Sequence, residues 1–182
     1  MSATPPAPRP RLVPERDLPP YAHVPGRTPH PGSEPRGHGA PPERIAPIDP
    51  DRWQACIPYL YGIDLFNHGY YWEAHEAWEA LWHACGRGGP IGNFLKGLIK
   101  LAAAGVKVRQ GQPSGVRDHA QGARELFEQT ARQRGGEEHR YLGLHLGELI
   151  RFAREVAEHP PTTGPSTNEG AEVVFAQVLC PV

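Results

Sequence analysis

His75, Glu76 and Glu79 carry the chemistry of greatest interest in this chain. They lie in Phe66-Asn-His-Gly-Tyr-Tyr-Trp-Glu-Ala-His-Glu-Ala-Trp-Glu-Ala-Leu-Trp82, a run dense in aromatic, imidazole and carboxylate groups. At about 100° per residue, Tyr71, Ala74, Trp78, Leu81, Trp82 and Cys85 share one helical face. His75 and Glu79 fall on its shoulder, one turn apart, and His83 continues the diagonal. Glu73 falls on the far side, in solvent, with Glu76 beside it. His119, mid-way along the apolar face of a later helix, is the second histidine expected indoors.

A histidine and a carboxylate one turn apart are a common ligand pair, which a third group from a facing helix would complete. His75, Glu79 and His119 are therefore the alternative metal set, with Glu76 as candidate general base of a hydrolytic enzyme. The sequence His75-Glu76-x-x-Glu79 differs from the His-Glu-x-x-His of zinc peptidases in its last ligand. The favoured expectation is a polar network without a metal or other cofactor. There His75 and Glu79 bond each other or a facing helix, and serve the core or the floor of a small-ligand pocket. Trp72, Trp78, Trp82, Lys96 and Lys100 are the further pocket candidates. Trp72 is the odd aromatic, on the polar side of its helix, suited to covering a pocket or an interface. Lys96, Lys100 and Lys107, with Arg109 and Arg117, form a short basic stripe, expected to be solvated. His68 is expected to cap a helix C-terminus, and His83 to be exposed.

Periodicity supplies the elements that hold these groups. Asp49-Pro50 is a helix start, and Pro58 is expected to break or kink that helix before a segment over Tyr59–Asn67. Helices follow at about Tyr70–Ala84, Ile91–Gln110, from Val116 to a stop at Gln133–Glu137, and at Leu144–Glu158. Gly97 and Gly105 are expected to admit close neighbours. The fold class is all-α, a compact bundle or array of about five helices.

The stretches LFNHGYYWEAHEAWEALWHA and FLKGLIKLAAAGVKVRQGQPSGVRDHA resemble the bacterial and archaeal domain-of-unknown-function 309 family. That family shows a Phe-Asn-x-Gly-x-x-x-Glu-Ala-His-Glu-x-x-Glu-x-x-Trp run followed by a Gly-Leu-Ile-x-x-Ala helix. The likeness spans roughly Trp53 to Phe152. It implies a compact helical fold and no particular activity. Many members carry Gln at the places of Lys96 and Lys100, and His at those of Val106 and Lys107. The resemblance thus implies that histidines available to the family on this helix are lost here.

The chain has 182 residues and a net charge of -1, so no global field draws it to nucleic acid. Its apolar runs fall short of a membrane span, and it opens on no secretory pattern. Three scattered cysteines suit a reduced, cytoplasmic setting better than a disulfide framework. Residues 1–47, rich in proline, are expected to be a disordered tail; residues 48–160 form the helical domain. Residues 161–182 are expected to be a linker and a short apolar arm, docking on the domain or on a second copy. The function expected is a small-ligand or protein-interaction module; a homo-oligomer stays open, and no phosphate loop, Cys-x-x-Cys or Gly-x-Ser-x-Gly elbow assigns a reaction.

Overall fold

A computed structural model of the protein describes residues 9–33, 37, 45–162 and 170–182. A 3-10 turn, Pro50–Ala55, opens the domain, and the Asp49 side chain accepts from the Asp51 N–H at 3.0 Å. The regular helix expected there is replaced by this tighter turn. Pro58 does not break a helix; it lies in the first turn of α1 (Ile57–Asn67), where a missing N–H costs nothing. His68 caps α1, its Nδ1 lying 2.8 Å from the Asp64 carbonyl oxygen. Then come α2 (Tyr71–Ala84), α3 (Gly89–Arg109) and α4 (Pro113–Arg134). Pro113 starts α4 from within the expected Gly111–Gly115 turn. A two-residue hairpin that periodicity missed, β1 (Arg140–Tyr141) against β2 (Leu144–His145), leads into α5 (Leu146–Glu158).

Consecutive helices pack on one another, with α3 wedged between α2 and α4. Gly97 and Gly105 make that fit possible. A Cβ at Gly97 would stand 2.5 Å from the Phe127 ring of α4, and one at Gly105 would stand 2.5 Å from the Tyr71 ring of α2. The core joins Tyr59, Phe66, Trp78, Phe94 and Phe127, all fully buried. Its polar tips are satisfied: the Tyr59 hydroxyl donates to the Leu142 carbonyl at 2.8 Å, and Trp78 Nε1 donates to the Tyr59 carbonyl at 3.2 Å.

Both flanking segments lie on the helices. In the C-terminal arm, Phe175 and Leu179 are buried, and Phe175 stacks on Phe66 at 5.8 Å. Asn67 grips the arm's backbone, donating to the Leu179 carbonyl at 2.8 Å and accepting from its N–H at 2.9 Å. The arm thus docks on its own domain. The linker before it falls at residues 163–169, outside the described residues.

Residues 1–8, 34–36 and 38–44 of the expected disordered tail likewise lie outside the described residues. Residues 9–33 differ from that expectation and run as a strap along α1 and α2. Compensation by carboxylates, rather than a large apolar run, holds them. Asp64, fully buried, accepts from Leu12 N–H at 2.7 Å, Val13 N–H at 2.8 Å and Arg11 Nε at 3.0 Å. Val13, Ala22, His23 and Val24 are buried, and Val13 joins the main core.

Candidate functional site

The second and third turns of α2 bring three ligating side chains together. One atom each from His75, Glu76 and Glu79 lies within 4.8 Å of the others. His75 and Glu79 are half-buried, as their shoulder position requires, and Glu76 is exposed. His75 Nδ1 approaches Glu76 Oε1 at 3.4 Å, a long contact with poor alignment. That nitrogen is sealed from solvent and has no hydrogen-bond partner. This nitrogen faces the adjacent Glu76 carboxylate rather than Glu79. His75 holds the Glu76 carboxyl below its ordinary range, against the upward push of burial, and His30 and His23 add to the effect.

Glu73 departs from its expected place in solvent. It is only 7 % exposed, because the strap crosses this side of α2, and it accepts from the His23 N–H at 2.8 Å. Burial raises its carboxyl to about 7, with the bond from His23 pulling the other way. The same crossing explains Trp72. Its ring stacks on His75 at 6.0 Å and meets the edges of His23 at 4.7 Å and His30 at 5.8 Å. Trp72, His23, Arg27, Thr28 and His30 line an open bowl of about 550 Å³, which the Trp72–His75 ring stack joins to the ligating groups.

The remaining candidates disperse. Trp78 is a core residue, bonded through its indole N–H. Trp82, at the far end of α2, lies under Lys96 Nζ, 4.3 Å from its ring centroid, and under the Arg87 guanidinium at 5.5 Å. Lys96 is thus spent on Trp82 rather than on the corner at His75. The Lys100 stem passes Gly122 of α4, whose Cβ would stand 2.9 Å from Cδ. Lys107 donates to Gln110 and Gln112 at 3.0 and 2.9 Å. Arg109, assigned to the solvated stripe, is buried: it pairs with Glu172 at 3.5 Å and donates to the Gly170 carbonyl at 3.2 Å. His83 is exposed and accepts from Arg87 at 2.8 Å.

His119 does not join the close set. It is half-buried, and burial lowers its pKa, with Lys100 and Lys107 lowering it further. These lysines make its surroundings unfavourable for a cation. Glu76, beside His75 in sequence, takes the third position instead. The residues missed by sequence reasoning are His23, His30 and Asp64. The signals were there: Tyr21-Ala22-His23-Val24 is an apolar patch among prolines, and Asp64 is a lone acid inside an otherwise apolar helix.

Residues 59–118 match a family described as Domain of unknown function (DUF309). The chain resembles that family from α1 through α3 into α4, a stretch that contains Asp64, Trp72, His75, Glu76 and Glu79. The strap, with His23 and His30, lies outside the match. No curated protein matches the chain. No described helix is long and apolar enough to cross a membrane. Cys56, Cys85 and Cys180 are free thiols, and burial raises the pKa of the first two.

Proposed function

We propose that this chain is a small-ligand-binding helical module whose working corner is the stretch of α2 from Trp72 to Glu79. The observation that carries the proposal is the convergence of His75, Glu76 and Glu79 within 4.8 Å, beside the bowl floored by Trp72. Two carboxylates beside an imidazole suit a small ligand that donates hydrogen bonds or carries positive charge, such as an amine or a guanidinium. The bowl is concave, and the polar groups of His23, Arg27, Thr28 and His30 surround the Trp72 ring within it. Three free thiols agree with a reducing, cytoplasmic setting.

A second reading uses the same corner. One nitrogen and two carboxylate oxygens suit a divalent transition ion, with open positions left for water. Such an ion would supply an activated water for hydrolysis, and the ligand set would be His75, Glu76 and Glu79 rather than one that includes His119. The test is a thermal-shift titration of wild type, His75→Ala and Glu79→Ala with methylamine, methylguanidine and the chlorides of zinc and manganese. Elemental analysis of protein purified without chelator or tag accompanies it. Saturable stabilisation by the amine or guanidine, lost in both variants, supports the proposal. Near one metal per chain, lost in His75→Ala, replaces it with the second reading. No response to any probe overturns both.

A further inference from the structure

We infer that residues 21–30 form a preformed lid over the α2 corner, seated separately from the strap before it. The inference gives the proposed binding site its regulation and takes its purpose from that reading. The segment is internally braced. Pro25 and Gly26 occupy the two central positions of a tight turn, and Gly26 has a φ of 81°, where its lack of a Cβ is needed. Arg27 and Thr28 N–H groups both donate to the Val24 carbonyl, at 3.0 and 3.2 Å. The Val24 N–H donates to Thr28 Oγ1 at 2.9 Å, His23 Nδ1 lies 2.9 Å from the same hydroxyl, and the Tyr21 hydroxyl donates to the Pro29 carbonyl at 2.9 Å. A loop closed by its own bonds keeps its shape when it moves.

Its seat differs from that of the preceding strap. Residues 11–17 are fixed on α1 by the buried Asp64 carboxylate, by the Tyr61 hydroxyl donating to the Asp17 carbonyl at 2.8 Å, and by Arg16 over the Tyr61 ring at 4.5 Å. The loop rests on groups at and near the corner, among them Glu73 at the His23 N–H, the Arg109 carbonyl at Arg27 Nη1 (2.9 Å), Gln110 Nε2 at the Pro25 carbonyl (3.4 Å), and the Trp72 ring between His23 and His30. Between the two seats stand Pro19 and Pro20, which have no N–H to give a ladder or a helix. The loop walls the bowl with His23, Pro25, Arg27, Thr28 and His30, so lifting it uncovers Trp72 and widens access to His75 and Glu76. A closed loop therefore competes with any ligand larger than the bowl.

Hydroxyl-radical footprinting and amide hydrogen exchange on the full chain, without added ligand, test the lid. In wild type, the His23 and Val24 amides should exchange at least about tenfold faster than those of Leu12 and Val13, through an opening that spares the strap's first seat. Glu73→Leu, which removes the acceptor for the His23 N–H, and Arg27→Ala, which removes the bond to the Arg109 carbonyl, should each raise oxidation of Trp72 several-fold while Trp78 stays protected. Equal exchange of the two segments overturns the inference. So does unchanged Trp72 labelling in both variants, or a joint rise at Trp72 and Trp78. Because no ligand enters the experiment, an intact footprint alongside a failed thermal-shift titration removes the binding proposal and leaves the lid.

Discussion

Replacing Glu73 with Gln should change how stability depends on pH, and the size and sign follow from its burial. The carboxyl is raised by burial from its ordinary 4.5 to about 7 in the folded chain, despite the bond from the His23 N–H and the positive charge of Arg109; Glu76 nearby adds to the rise. In the unfolded chain it ionises near 4.5. Between these values the folded chain binds the extra proton, so stability falls as pH rises through the window from about 4.5 to about 7. At 1.36 kcal/mol per pH unit, the full loss is about 3 kcal/mol, reached above the folded value. Gln keeps an acceptor for the His23 N–H and has no charge to bury. The assay is urea unfolding of both proteins at matched pH values across the window. The stability difference, variant minus wild type, should grow with pH towards about 3 kcal/mol in favour of Gln. Subtracting the two removes contributions that they share, such as that of His119. Parallel curves, or a difference that grows as pH falls, would refute the reasoning and place Glu73 in contact with water.

Asp64→Ala leaves two strap amides and Arg11 Nε without their acceptor, and should cost about 3–4 kcal/mol in chemical denaturation while releasing residues 11–16 to rapid tryptic cleavage. A wild-type midpoint with an intact strap would contradict the anchoring role. Gly105→Ala places a methyl group 2.5 Å from the Tyr71 ring and should lower stability by about 1–3 kcal/mol, visible as a shifted urea midpoint with an unchanged slope.

The helices were legible because periodicity and burial agree on them. Trp78 and Leu81 fall on the inward face of α2, and both are fully buried. The glycine notches at Gly97 and Gly105 could likewise be read from their position beside a wide apolar arc. The candidate site was legible only in part. His75 and Glu79 could be placed from spacing, since residues four apart share a face. Glu76 looked like a separate solvent group because a wheel shows Cβ directions and ignores the reach of a carboxylate. Glu73 and Trp72 were misplaced or left unexplained for a different reason. Their cover comes from a segment about fifty residues earlier, and nothing in a local pattern links the two. That segment also has few large apolar side chains. Backbone N–H groups bonded to Asp64 and Glu73 hold it, and composition does not register such bonds.

The two notches in α3 have a mechanical consequence. Gly97 and Gly105 stand about 12 Å apart along the axis, at 1.5 Å per residue, and receive rings from opposite neighbours, Phe127 on one side and Tyr71 on the other. Sliding α3 along its length would drive both rings out of their recesses and onto the bulk of adjacent residues. Helix translation, a common way to carry a signal through a bundle, is thereby blocked at the centre of this fold. A response to whatever occupies the α2 corner has to travel through parts that can leave their seats without dragging α3. The helical stack then serves as a fixed frame, and the chain's freedom to respond lies in the segments laid over it.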